Sequence, residues 1–359
     1  MKEIINLKNV DTTKQPLFFG EDLSIQRYDS PKYKKLEDLF TEQLSFFWRP
    51  NEIDVSVDGQ QFRDLTENEQ RIFTENLKYQ ILLDSVQSRA IPFLTQRMTN
   101  PELEAASVAW ALFEQIHSFS YTYVIKNVYA NPSEVFDSIV DTPEIVERAT
   151  SVTKYYNKLI HNVDENDIKG AKKKLYLTLV SVNILEGIRF YVSFACSYAF
   201  AEQGKMVGNS QIISLINRDE NLHLAMTQNL LNFFRKNEDE GFVEIVEECK
   251  EEVIQMYKDA AEEEMEWARY LFRDGSMIGL NGEILIEYMK WLTDRRVKAI
   301  GLDPIFGVTN CPINWIKKHT ESKNVQVAPQ EREIESYRIG GIKNDGLAAS
   351  FDEFDLEGI

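Results

Sequence analysis

Two short segments of the chain repeat one spacing: Glu114 and His117 in EQIHSFSY, and Glu220 and His223 in RDENLH. Residues three apart on a helix differ by about 300° in heading, so each acid lies beside its imidazole on one face. Tyr121, seven after Glu114, returns to nearly the same heading and adds a phenol to the first stripe. The chain has four histidines, and two of them sit in this motif. A single copy reads as a chance pair on an acidic helix surface. Two further acids change that reading. Asp84 falls on the apolar stripe of Phe73, Leu77 and Ile81, and Glu186 on that of Leu179, Val182 and Phe190, where core residues belong.

Carboxylates are almost never fully buried without a partner, because an unpaired buried charge is strongly destabilising. Asp84, Glu114, Glu186 and Glu220 together carry a charge of -4. Arg189 and Arg218 could balance two of these acids, whereas two divalent cations balance all four. An acid from each of two helices and a Glu-x-x-His from each of two others is the known ligand arrangement of ferritin-like di-iron proteins, so the chain matches an existing pattern. Oxygen-rich ligation with one imidazole per metal favours iron or manganese over a thiolate-seeking ion, with iron the first choice. Cys196, on the helix of Glu186, reads as a small core residue rather than a ligand. Tyr121 has two readings at this level. It is either a phenol that an oxidised metal pair can oxidise, or a core tyrosine bonded through its hydroxyl to Asp84. Phe190, Phe194 and Ile216, on the ligand stripes, read as plain core that would also keep a phenoxyl dry.

Helical periodicity supplies the elements that must position these groups. It predicts helices over about 36–47, 67–93, 102–128, 143–162, 171–203, 209–235, 241–270 and 280–299. Thr66 with Glu69 is a capping-box signal, and Asn100-Pro101 places proline at a first helical position. No strand-rich block is present, and no linker rich in Pro, Gly or Ser precedes residue 300 or so. The expectation is one all-α, ferritin-like di-iron bundle with additional helices over 36–319, an extended arm over 1–35 and a flexible tail over 320–359.

Composition limits the function classes. The chain has 359 residues, 43% of them hydrophobic, and can bury a large core without a disulfide. A formal net charge of -18 repels a phosphate backbone, so no nucleic-acid partner is expected. Cys196, Cys249 and Cys311 form no C-x-x-C pair and leave an odd count, which suits a cytoplasmic protein. Leu175 to Ala201 is long enough to span a bilayer, which takes roughly 20 residues, but Asn183, Glu186 and Arg189 lie within it. It reads as a buried helix, with no membrane partner. There is no Walker A motif and no GxGxxG, so no nucleotide site is expected on this chain.

LSFFWRP, LLDS, FEQIHSFSYT, NILEGIRFYVSFACS, INRDENLH and NVQVAPQEREIESY, in that order, resemble the small, radical-generating subunit of class I ribonucleotide reductase, of the bacterial and phage class Ia type. The resemblance runs from about residue 17 to 339. It implies that Asp84, Glu114 and His117 ligate one iron and Glu186, Glu220 and His223 the other, in an oxo-bridged pair; manganese is also compatible. Tyr121 would hold the radical, within an apolar pocket of Phe190, Phe194 and Ile216. Trp48 would deliver an electron during oxygen activation, with Asp219 as its hydrogen-bonded partner toward His117. Trp110 would hydrogen-bond a ligand carboxylate. Tyr337, assisted by Glu331, would relay the radical into the large, catalytic subunit, where reduction of the ribose begins. The four-electron reduction of oxygen would draw three electrons from the irons and an external donor, and the fourth from Tyr121.

The resemblance also implies a homodimer and a tail whose Phe351, Phe354 and Leu356 dock on the large subunit. Glu357, Gly358 and Ile359 extend beyond the family's usual end. Two other classes fit the metal ligands alone: a di-iron oxidase or desaturase, and a ferritin-like iron-storage protein. Neither requires Trp48, Asp219, Tyr121 and Tyr337 together.

Overall fold

Caps written into the sequence set where the long helices begin. Thr66 Oγ1 accepts from the backbone N–H of Glu69 at 3.2 Å, while Glu69 Oε2 accepts from the Thr66 N–H at 2.9 Å. This capping box starts a 29-residue helix. Asn100 caps the next one through the Leu103 N–H at 2.9 Å, with Pro101 at the first position. The computed structural model describes residues 6–8, 10–23, 25–161, 167–237 and 240–320. Its α-helices are α1 (Lys34–Ser45), α2 (Asp58–Asp64), α3 (Glu67–Thr95), α4 (Pro101–Val128), α5 (Pro132–Asp137), α6 (Pro143–His161), α7 (Ile168–Ile184), α8 (Tyr191–Glu202), α9 (Val207–Lys236), α10 (Val243–Leu271), α11 (Gly282–Ala299) and α12 (Lys317–Thr320). Among the described residues the only extended pairings are two isolated bridges, Phe18 with Met98 and Met277 with Leu280. The fold is all-α.

Four long elements form the centre. α3 packs along α4, and the α7–α8 rod packs against α9, with α3 meeting α8 and α4 meeting α9. α1 lies along α4, α6 on α7 and α3, and the α10–α11 pair closes the side of α7. The eight helices read from the sequence are all present, with ends shifted by three residues or fewer. The short helices α2, α5 and α12 have no counterpart in that reading, because four to seven residues give too little period to detect.

The 171–203 segment differs in one instructive way. It is not a uniform α-helix: Leu185–Arg189 forms a π-helical turn between α7 and α8, and Glu186 sits within it. Such turns re-aim side chains and concentrate at functional sites. Gly187, next in line, lets Arg296 approach so that its Nε donates to the Gly187 carbonyl at 2.9 Å. A Cβ there would stand 2.9 Å from Leu224 Cδ1 and 3.2 Å from Arg296 Nε. The whole apolar segment is buried inside the bundle, which accounts for its hydropathy without a bilayer.

α9 begins without help from its own flanking residues. Met206 precedes it in the left-handed region, φ 50°, and provides no side-chain cap. Asp58, at the start of α2, accepts from the N–H groups of Gly208 at 3.1 Å and Asn209 at 2.6 Å. A carboxylate from elsewhere in the chain thus satisfies the exposed end of the helix that carries Glu220 and His223. The N-terminal arm is held similarly: Leu17 and Phe18 are buried, and Glu240 accepts from the Leu17 N–H at 2.9 Å.

Candidate metal centre

The four central elements each supply acids to one point. Asp84 comes from α3, Glu114 and His117 from α4, Glu186 from the π turn, and Glu220 and His223 from α9; all six are fully buried. Their donor atoms form two overlapping groups, each with its members within 4.8 Å of one another. One holds Asp84, Glu114, His117 and Glu220, and the other holds Glu114, Glu186, Glu220 and His223. The family resemblance implies three ligands for each metal. The geometry extends this, because Glu114 and Glu220 belong to both groups and would be shared between the two positions.

The cluster has no internal charge balance. Arg189 is engaged by Glu263 at 2.6 Å and Glu264 at 3.3 Å, and Arg218 donates to the Phe46 carbonyl at 2.6 Å. Neither guanidinium is taken up by the four acids. Burial, then the charges of Glu114 and Glu220, push the Asp84 carboxyl well above its usual range. Burial, then Glu220 and Glu114, do the same to Glu186. Burial would lower His117, but the charge of Glu220 and hydrogen bonds to Asp219 and Glu114 overcome it and hold the imidazole well above its ordinary value. Without cations, protons would have to balance this site.

The donor set fits cations closely. Both Asp84 oxygens, Glu114 Oε2, Glu186 Oε2, Glu220 Oε1 and His117 Nδ1 are sealed from solvent and make no hydrogen bond of standard geometry, although close contacts link His117 Nδ1 to Glu114 and Glu220. Buried polar atoms are normally satisfied, so a group of orphans facing one point marks a binding site for something that accepts lone pairs. His117 Nδ1 lies 3.1 Å from Glu220 Oε1, and His223 Nδ1 lies 2.8 Å from Glu220 Oε2 and 3.2 Å from Glu114 Oε1. Both rings therefore turn the same nitrogen inward. The three cysteines are free and belong to neither group, and Cys196 is buried core.

The surrounding polar groups orient these donors. His117 Nε2 meets Asp219 Oδ2 at 3.1 Å, and the same oxygen accepts from Trp48 Nε1 at 2.7 Å. That contact fixes the tautomer that leaves Nδ1 free for a metal. Trp110 Nε1 donates to Glu114 Oε1 at 2.8 Å, and the Trp110 ring stacks on His223 with centroids 5.0 Å apart. Tyr121 is fully buried with Asp84 as its first acidic neighbour, yet its hydroxyl makes no hydrogen bond of standard geometry. Asp84 nonetheless stands close enough to interact with the phenol, so both readings of Tyr121 are compatible with the site. Phe190, Phe194 and Ile216 are fully buried, and the first two rings stack at 5.6 Å.

A matching family model, "Ribonucleotide reductase, small chain", covers residues 27–312. The chain belongs to the ribonucleotide reductase small-chain family. It is 47% identical to the ribonucleoside-diphosphate reductase subunit beta of Haemophilus influenzae, over 96% of this chain and 97% of that one. The corresponding subunit of enterobacteria phage T4 is 37% identical, over 96% and 97% of the two chains. Among solved structures, the ribonucleotide reductase R2 subunit from Clostridium botulinum superposes with a TM-score of 0.80 at 30% identity, covering 89% of this chain and 98% of its own. As a ribonucleotide reductase small chain, the protein is part of an oxidoreductase, and the iron-storage alternative falls away.

Of the site residues read from the sequence, Tyr337 and Glu331 lie outside the described residues. Two polar residues beside the ligands were not singled out from the sequence. Gln87 Nε2 donates to Glu186 Oε1, and Tyr156 Oη on α6 donates to Gln87 Oε1 at 2.7 Å. Gln87 follows Asp84 by three residues on the same helix, so its spacing was a usable signal. Tyr156 lies on a different helix and had none.

Proposed function

We propose that this chain is the radical-generating subunit of a ribonucleoside-diphosphate reductase, with a di-iron pair held by Asp84, Glu114, His117, Glu186, Glu220 and His223. The observation that carries the reading is a fully buried Tyr121 phenol, with Asp84 as its acidic neighbour, beside a cluster of orphaned acid oxygens. When bound, iron supplies the reduction of dioxygen and the oxidising power to convert a phenol to a phenoxyl. The protein's part is positioning and exclusion of water. Asp84 faces the phenol as the acid next to its O–H. Phe190, Phe194 and Ile216 provide a dry apolar wall in the same core. Trp48, Asp219 and His117 form a continuous hydrogen-bonded path into the cluster, which suits delivery of an electron.

The onward route runs through Tyr337, with Glu331 beside it in the sequence, to a large catalytic subunit that binds the nucleotide. The start of the tail is firmly anchored, which supports a tether. The His319 ring stacks on Tyr198 at 4.5 Å, Lys318 and His319 pair with Glu202, and Asn221 donates to the Thr320 carbonyl at 3.3 Å. Phe351, Phe354 and Leu356 would dock on the partner. A homodimer fits α4, whose solvent side exposes Val108, Leu112 and Phe119 by 59%, 50% and 65% on the face opposite Glu114 and His117. Three free cysteines and a buried apolar helix suit the cytoplasm.

The test is to load the apoprotein with ferrous iron, admit oxygen and record electron paramagnetic resonance for wild type and Tyr121→Phe. A tyrosyl signal in wild type, absent from the variant, is expected; no signal, or one that survives the substitution, overturns the radical assignment. Loading with manganese in parallel distinguishes the metals. Deleting the chain from Arg338 onward should keep the radical and abolish nucleotide reduction with the large subunit.

A further inference from the structure

Glu186 is the one acid of the cluster delivered by a π turn, and its two oxygens are treated differently. Oε1 accepts from Gln87 Nε2, whereas Oε2 is buried with no partner. An ionised carboxylate only accepts hydrogen bonds, so the Gln87 amide must present its NH2 side to Glu186. Its carbonyl then points away, into a buried space that must contain a donor. Tyr156 provides one: Oη donates to Gln87 Oε1 at 2.7 Å, and the residue is 3% exposed. A flipped amide would set its oxygen against the carboxylate and its NH2 against a phenol that would then have to accept. With Glu186 ionised, as a bound metal would hold it, the three groups have one mutually satisfied arrangement.

We infer that Tyr156 and Gln87 form a positioning relay that engages Glu186 Oε1 and leaves Oε2 as the atom offered to the metal. The relay joins α6, which contributes no ligand, to the second metal position through α3. A phenol is an O–H donor at ordinary pH, and the buried Tyr156 hydroxyl is aimed at the amide oxygen. Partners that orient ligands in this way typically change metal affinity by about 10–100-fold when removed. The inference rests on the proposed metal centre, and it assigns Tyr156 and Gln87 a role separate from the redox role of Tyr121.

Tyr156→Phe removes the phenolic oxygen, and Gln87→Met removes the amide at nearly constant volume. Manganous ion, titrated into the apoprotein and followed by its electron paramagnetic resonance, reads the two positions without turnover. Wild type should bind two ions and show a coupled-pair signal. Each variant should keep one tight ion and bind the second about tenfold or more weakly, with the coupled signal reduced at equal loading. The double variant should be no weaker than Gln87→Met alone, because Tyr156 acts through the amide. Wild-type affinity in Tyr156→Phe, or additive losses in the double variant, would overturn the relay while leaving the metal centre standing. A wild type that binds no manganese would overturn both readings. If Gln87→Met fails to fold, Tyr156→Phe alone still decides the matter by its second-ion affinity.

Discussion

Trp48 Nε1 and Asp219 Oδ2 meet at 2.7 Å in the interior of the bundle, across 171 residues of sequence. That oxygen also receives His117 Nε2 at 3.1 Å, so one carboxylate joins a buried indole to a metal-facing imidazole. The two contacts serve different ends and can be separated. Asp219→Asn replaces the anion with a weaker, neutral acceptor and loosens control of the His117 tautomer. Metal affinity at the position holding Asp84 and His117 should fall by about 10–100-fold in a manganese titration. Trp48→Phe should leave that affinity unchanged and slow tyrosyl radical formation, as followed by stopped-flow absorbance after oxygen addition.

Tyr121→Phe separates redox role from fold. The hydroxyl is buried beside Asp84 and makes no hydrogen bond of standard geometry, and an unsatisfied buried polar group costs about 1–3 kcal/mol. Removing it should leave the apoprotein at least as stable as wild type, and up to about 1 kcal/mol more stable in urea unfolding. A clear loss of stability would mean that the phenol is a structural hydrogen-bonding group.

The metal-free protein should lose stability as pH rises. Burial and neighbouring acids raise Asp84 and Glu186 above their unfolded values, and the imidazoles of His117 and His223 are also raised despite burial. Each of these groups binds its proton more tightly when folded. Its contribution is complete below the unfolded pKa and disappears as pH passes the folded one. Glu220 is shifted downward, chiefly by His117, and acts in the opposite sense, but it is one group against four. The melting temperature of the apoprotein should decline from about pH 5 to about pH 8, while the metal-loaded protein should show a much flatter profile. An apoprotein that gains stability over this range would contradict the charge balance argued for the cluster.

The exposed stripe of α4 predicts a charge-sensitive self-association. Leu112→Glu and Phe119→Glu each place an unpaired carboxylate in the proposed two-fold contact, where a single substitution counts twice. The dimer should weaken by at least about 100-fold in sedimentation equilibrium, with helical content and metal stoichiometry per chain unchanged. A dimer that persists in both variants would place the interface elsewhere.

Much of the centre was legible in the chain because helical period is local information. Glu114 with His117 and Glu220 with His223 share a face by spacing alone, and Asp84 and Glu186 stand out as acids on apolar stripes. Charge balance then asks for two divalent cations, and the long helices follow from their caps at Thr66 and Asn100. Other features depend on how separate elements approach one another, which no periodicity encodes. The π turn that aims Glu186 is one, and the Asp58 carboxylate that caps α9 from α2 is another. The sharing of Glu114 and Glu220 by both donor groups, and the chain from Tyr156 through Gln87 to Glu186, are settled by packing at ångström scale. Sequence by itself determined which residues could hold a metal pair and beside which phenol. Tertiary structure decided which oxygen of Glu186 stays free, because the donor to the other one, Gln87, is brought in from a different helix.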